Sequence, residues 1–337
     1  MSVKKTIFRE QEAVNYVPNS SVSAKLQRNY DYSHIWFELT VNYSIKKTSK
    51  YKYLHFANLI KSFQIFGNGS TEFKNQAFAQ LFYQTYIYTR GRLPFGWPKL
   101  NADLGENEVE DNTFKMRFLV PFSSLLMTKP SDTGLRSNMF QTLDYMVTWA
   151  DANVVGTDIN VKSAQLKPVS WERIEILAEG EPAPSNARLI QKIQTEQITS
   201  SASGILINLP PNKIYNDIFI DLLNGSTGEA CPDAVKRIKF LNGTDVITQV
   251  DFDMLKVENQ RRYDIDDELF CNVYKDQIDN KQVINPRAHA VLNFSAVGHY
   301  MSSLSLGTMN QPQLSLDIAL PTGVNSLAIR LCENYVE

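Results

Sequence analysis

The stretch IWFELTVNYSIK, residues 35–46, sets the reading of the whole chain. Ile35, Phe37, Leu39, Val41, Tyr43 and Ile45 fall on every second position, and Trp36, Glu38, Thr40, Asn42, Ser44 and Lys46 fill the positions between. Successive side chains of a strand point to opposite faces, so the segment predicts a strand, or a bent pair, with one apolar face.

The same period recurs along the chain. It appears at Met116, Phe118, Val120 and Phe122, at Leu143, Tyr145, Val147 and Trp149, and at Ile174 and Ile176. It continues at Ile205, Ile207 and Leu209, at Ile218, Ile220 and Leu222, at Leu314, Leu316, Ile318 and Leu320, and at Leu327, Ile329 and Leu331. Many short alternating strands parted by turn residues predict an all-β sandwich or barrel. Composition agrees: 18 Phe and 15 Tyr outnumber 15 Gly and 14 Pro, so rings suited to pleated surfaces outweigh turn residues.

Two segments depart from that period. Ala77, Phe78, Leu81, Phe82 and Tyr86 recur at helical spacing, predicting an amphipathic helix over 76–89 with Asn75 as its N-cap. Val250, Met254 and Val257 predict one face of a second helix, with Thr248 to Asp251 as a weak capping box. Between Leu177 and Arg188 the run AEGEPAPSNA has no apolar face to bury and reads as a linker. The domains expected are therefore 1–177, a linker at 178–187, and 188–337.

A linker near mid-chain prompts a search for duplication, and three segments match in order. Tyr32-Ser-His-Ile-Trp-Phe resembles Tyr215-Asn-Asp-Ile-Phe-Ile, Phe66-Gly-Asn-Gly-Ser resembles Phe240-Leu-Asn-Gly-Thr, and Leu143-Asp-Tyr-Met resembles Leu316-Asp-Ile-Ala. The offsets are 183, 174 and 173 residues. Each Asn-Gly turn follows a short apolar strand and precedes a candidate helix. A long polar insertion then follows, 94–112 in the first half and 264–286 in the second.

Charge and cysteine usage narrow the function classes. Lys plus Arg number 34 against 36 Asp plus Glu, a net charge of −2, so no specific nucleic-acid binding is expected. Cys231, Cys271 and Cys332 lie far apart with no C-x-x-C pair, which indicates neither a disulfide framework nor a cysteine zinc site. The N-terminus MSVKKTIFRE lacks the apolar core of a secretory signal, and no run approaches the ~18 apolar residues of a membrane-spanning helix. Synthesis and folding in a reducing cytoplasm are expected.

His34, His55, His289 and His299 show no H-E-x-x-H or H-x-H spacing. Gly67-Asn68-Gly69 lacks the third glycine of a dinucleotide fingerprint, because position 72 is Glu, and reads as a tight turn. Asp264, Asp266, Asp267 and Glu268 form an acidic cluster without EF-hand spacing, either a solvated run or a structural cation site. No G-x-S-x-G elbow occurs. The sequons at Asn42, Asn68 and Asn242 read as chance. No catalytic, cofactor-binding or metal residue is assigned.

Two sandwiches in tandem, each interrupted by a helix and a long loop after an Asn-Gly turn, resemble the double jelly-roll major capsid proteins of tailless icosahedral, membrane-containing bacteriophages, the lineage of adenovirus hexon-type proteins. The resemblance spans nearly the whole chain through pattern rather than a diagnostic motif. It implies a structural coat protein and no enzyme. Three chains would form a homotrimer of six similar lobes, a pseudo-hexamer that tiles an icosahedral shell around an internal membrane. The implied partners are neighbouring capsomers, vertex or penton proteins, minor capsid proteins and the internal lipid membrane, and the implied location is the virion capsid. Loops 94–112 and 264–286 become candidate outward towers or trimer contacts. The N-terminal stretch to Tyr30, with Lys4, Lys5, Arg9, Lys25 and Arg28 against Glu10 and Glu12, becomes an arm toward lipid headgroups or a neighbour, or else a soluble tail. Jelly rolls also serve lectins and hydrolases, so a two-domain carbohydrate-binding or glycan-processing protein is the alternative, with a vertex or spike protein third.

Overall fold

The computed structural model describes residues 3–45, 53–89, 109–122, 134–156, 158–176, 188–263, 288–294, 304–305 and 311–336. The chain divides into two compact units, Met1–Ile190 and Gln191–Glu337. The stretch 178–187 read as a linker lies outside the described residues.

In the first unit the strands are β1 (Val3–Glu10), β2 (Val14–Asn15), β3 (Ser21–Lys25), β4 (Asp31–Ile45), β5 (Ile60–Gly67), β6 (Thr71–Gln76), β7 (Val109–Pro121), β8 (Leu143–Trp149) and β9 (Ile159–Ile176), with helix α1 (Phe78–Tyr88) between β6 and β7. One sheet runs β1–β9–β4–β7, with β2 also on β9, and the other contains β3–β8–β5–β6. The alternation at 35–45 becomes β4, whose Ile35, Phe37, Leu39, Val41 and Tyr43 are fully buried. Phe37 stacks on Phe118 of its own sheet at 5.6 Å and meets Phe63 and Tyr145 of the facing sheet at 4.7 and 5.3 Å. Such ring pairs stabilise by about 0.5–1.5 kcal/mol beyond the area they bury. The core therefore lies between the two sheets.

The second unit repeats the plan. Its strands are β10 (Leu189–Ile198), β11 (Ala202–Asn208), β12 (Ile214–Asn224), β13 (Val235–Asn242), β14 (Asp245–Asp251), β15 (His289–Asn293), β16 (Leu304–Ser305), β17 (Pro312–Ile318) and β18 (Leu327–Val336). Helix α2 (Phe252–Tyr263) follows β14. The sheets contain β10–β18–β12–β15, with β16 on β12, and β11–β17–β13–β14. Ile218, Leu222, Ile329 and Leu331 from one sheet and Ile238, Phe240, Leu314 and Leu316 from the other are buried.

Counting the main strands of each unit in chain order, one sheet runs first–eighth–third–sixth and the other second–seventh–fourth–fifth, with a helix between fifth and sixth. That is a jelly roll twice over. The three sequence matches fall on equivalent strands: Tyr32 and Tyr215 on the third, Phe66 and Phe240 on the fourth, Leu143 and Leu316 on the seventh.

Finer details are shared. The buried Tyr32 and Tyr215 each donate their hydroxyl to a carbonyl five residues upstream, Gln27 and Pro210. The Asn68-Gly69 turn uses left-handed φ of 52° and 75°, and Gly243 in the second turn has φ 60°; these values suit Asn and Gly. Each helix also covers the outer edge of the sixth strand. Leu119 of β7 gives its N–H to Thr85 Oγ1 at 2.8 Å and takes Gln84 Nε2 at 3.0 Å. Val291 of β15 gives its N–H to Asn259 Oδ1 at 2.7 Å and takes Asn259 Nδ2 at 2.8 Å. Side-chain amides and hydroxyls thus replace a missing neighbour strand, which satisfies the edge and blocks further pairing.

Several expectations change. Helix α1 begins at Phe78 with Ala77 as N-cap, because Asn75 continues β6 and the Gln80 side-chain oxygen accepts the Ala77 N–H at 3.2 Å. Helix α2 buries Phe252, Leu255, Asn259 and Tyr263, leaving Met254 and Val257 outside. Val250 belongs to β14. Asp251 accepts the Asp253 N–H at 3.0 Å and supplies the start signal in place of Thr248. The N-terminal basic segment is neither arm nor tail over Val3–Glu10: it is β1, paired with β9 from Val3↔Ile176 to Glu10↔Val169.

Candidate functional site

The residues singled out from sequence scatter over both units. Loop 94–108, the loop 264–286 with its acidic cluster Asp264 to Glu268, Cys271 and His299 lie outside the described residues, whereas 109–112 belongs to β7. Cys231 and Cys332 are both buried, and burial, then Asp233, pushes the Cys231 thiol up. Asn42 bonds Ser163 and Thr113 across neighbouring strands. Among the described residues no group of three His, Cys, Asp or Glu side chains is placed to hold a metal.

On the outer face of the first sheet, strand register lines up Phe8, Trp171 and His34. Phe8 is 60% exposed and meets Trp171 edge-on at 4.4 Å, and His34 stacks on Trp171 at 5.2 Å. Burial, then Arg173, lowers the His34 pKa to about 4, so the ring is neutral near neutrality. Beyond this row the face is charged and internally paired. Glu38 binds Arg117 at 2.5 Å and Lys115 at 3.5 Å, and Lys167 binds Glu10 at 2.7 Å. Desolvation raises the Glu38 carboxyl, but Arg117 and Lys115 outweigh it and hold the group below its ordinary range. Arg9 is committed too, 3.4 Å from the fully buried Glu172. The positive charges of β1 thus serve partly to fix the strand.

Buried polar pairs in the second unit escaped the sequence reading. His289 Nδ1 lies 2.6 Å from Asp221 Oδ1, both buried, at facing positions of β15 and β12. The pair ties an edge strand to its neighbour. Glu333, 3% exposed on β18, accepts the Tyr215 hydroxyl at 3.1 Å. Burial raises the Glu333 pKa to about 7, opposed by Tyr215 and Lys192. The same burial, with Glu333 beside it, raises the Tyr215 phenol. The partners stand 68 and 118 residues apart, so only the strand order brings them together. A hint existed in β12, where Asp217 and Asp221 bracket the apolar run Ile218-Phe219-Ile220.

These features order strands and leave charged and aromatic surface outward. No protein-family model and no curated protein sequence matches the chain. Solved structures do. The chain is similar to the crystal structure of the STIV MCP, at 16% identity over 99% of this chain and 96% of that one, with a TM-score of 0.67. It is similar to a chain in the atomic structure of Sulfolobus Turreted Icosahedral Virus, at 15% identity over 99% and 90% of the two chains, TM-score 0.67. The major capsid protein P2 from Bacteriophage PM2 follows, at 12% identity over 99% and 98%, TM-score 0.62. At such identities the likeness is one of fold, and it covers both units. The chain has two tandem jelly-roll β-sandwiches, the fold shared with these viral proteins.

Proposed function

We propose that this chain is a structural coat protein, the major capsid protein of an icosahedral virus. The observation that carries the reading is the repeated jelly roll with one strand order in both units, matching capsid proteins along the whole chain. The two jelly rolls serve as the domains, 1–177 and 188–337, joined by a linker at 178–187. Two similar lobes per chain give six in a homotrimer, so a three-fold particle can occupy a six-fold site of a shell. Its partners are then copies of itself, vertex and minor capsid proteins, and the lipid of an internal membrane. The protein is made in the host cytoplasm and works in the virion. Its role is mechanical, without a catalytic step.

Negative-stain electron microscopy of the purified full chain tests this. Six-lobed capsomers, alone or in sheets, are expected. Isolated two-lobed monomers at all concentrations would overturn the proposal and favour the carbohydrate-binding alternative.

A further inference from the structure

The two units can be compared residue by residue from the fifth strand through the helix, because a constant offset of 174 relates Phe78 to Phe252, Leu81 to Leu255 and Thr85 to Asn259. The structure supports that offset independently. The fourth and fifth strands carry a bulge at the same place, between Glu72 and Lys74 and between Val246 and Thr248. Thr85 and Asn259 each bond the edge of the sixth strand.

Burial breaks the equivalence. In the first unit the bulged Phe73 is fully buried, and on α1 Gln80 and Tyr83 are 0% and 4% exposed. Their counterparts in the second unit are bare: Ile247 is 46%, Met254 60% and Val257 53% exposed, and neighbouring Val246 is 55% exposed. A solvent-facing duplicate would be expected to turn polar at these positions, yet all four residues are apolar. Clustered exposed apolar side chains mark interaction sites. Moreover, β14 ends its sheet, so among the described residues its outer edge is open.

What covers the equivalent edge in the first unit indicates what belongs here. The Arg188 guanidinium lies over the Phe73 and Phe140 rings at 6.0 and 5.1 Å, and buried Lys74 donates to the Leu189 carbonyl at 2.9 Å. Leu189 begins β10, whose first two residues lie in the first unit and whose remainder opens the strand series of the second. The first strand of the first jelly roll is β1. Both reach a Glu-Gln pair, Glu10-Gln11 and Glu196-Gln197, and that spacing matches Val3 to Leu189. Charge agrees with the match: β1 carries Lys4 and Lys5 near its start, while exposed Asp245 and Asp251 are the first and last residues of β14.

We propose that the bare β14–α2 surface of the second unit, centred on Ile247, Met254 and Val257, is the seat for the start of β1 of a second copy of this chain. The inference rests on the capsomer reading and names the surfaces that join its subunits. The second unit then grips the first strand of the next chain in the way that Lys74 and Phe73 hold Leu189 and Arg188 within the first unit. Three such contacts close a ring.

Sedimentation velocity of the full-length chain tests it. Wild type sediments as a trimer, and the Met254→Asp/Val257→Asp variant, altered only at exposed positions, associates at least ~100-fold more weakly with an unchanged melting curve. Ile247→Lys, on the strand rather than the helix, gives the same loss. Leu206→Asp, at an equally exposed apolar position (54%) on β11, remains trimeric. Lys4→Glu/Lys5→Glu weakens association, and adding Asp245→Lys, at an exposed position, restores it. Trimers of undiminished affinity in the Met254 and Val257 variant would overturn the seat and leave the capsomer reading standing. Failure of the charge exchange to restore association would overturn β1 as the occupant. A monomeric wild type would overturn the capsomer reading itself.

Discussion

Asn68 takes the backbone N–H of Gln141 on its side-chain oxygen at 2.6 Å. The second unit repeats the bond, with Asn242 holding the N–H of Gln311 at 3.3 Å. In each case the Asn of an Asn-Gly turn joins the fourth-to-fifth strand hairpin to the chain entering the seventh strand. The clasp explains why Asn recurs, because it carries the acceptor in both units, and at Asn68 it also tolerates a φ of 52°.

Asn68→Ala removes the clasp and leaves an alanine at φ 52°. The expected loss is about 1–2 kcal/mol of unfolding free energy in the first unit. Asn68→Gly keeps the backbone unstrained and costs less, and urea unfolding of both variants separates the two contributions.

Asn259 is 7% exposed and holds both edge groups of Val291. Asn259→Leu leaves a buried donor and acceptor without partners, at about 1–3 kcal/mol each. Hydrogen exchange at the Val291 amide should accelerate strongly, while the Leu119 amide in the other unit stays protected. Equal acceleration at both would contradict the edge-covering role.

Glu333 makes stability depend on pH in a defined direction. Its folded pKa of about 7 lies above the ordinary carboxylate value of 4.5. Between those values the folded chain keeps a proton that the unfolded chain has released, so this contribution is complete at low pH and fades as pH rises through about 7. Relative to Glu333→Gln, wild type should therefore lose stability between about pH 5 and pH 8. A flat difference in melting temperature across that range would contradict the assignment.

Phe37 occupies the middle of the first core, among Phe63, Phe118 and Tyr145. Phe37→Ala is expected to cost about 3–5 kcal/mol. Calorimetry of the full chain should show the transition of the first unit moving down and that of the second unchanged.

The legible parts of the fold were those written in local periodicity. Ile35 to Ile45 alternates without interruption, and the three matches lie on equivalent strands, Tyr32 and Tyr215 each being the second residue of the third strand. The second helix was misread at its face, since Val250, Met254 and Val257 have helical spacing, but Val250 ends a strand and the other two point outward. Strand β1 was missed because lysines at positions 4 and 5 hide a short alternation, and its pairing with β9 lies more than 150 residues away. The Asp221–His289 and Tyr215–Glu333 pairs have no local signature, because each depends on two strands meeting only in the finished sheet.

The central claim, a coat protein whose paired lobes assemble in threes, is tested most directly by light scattering of the purified chain after size exclusion. The predicted result is a single species at three times 38.4 kDa, independent of dilution through the micromolar range. A stable species at 38.4 kDa would contradict it.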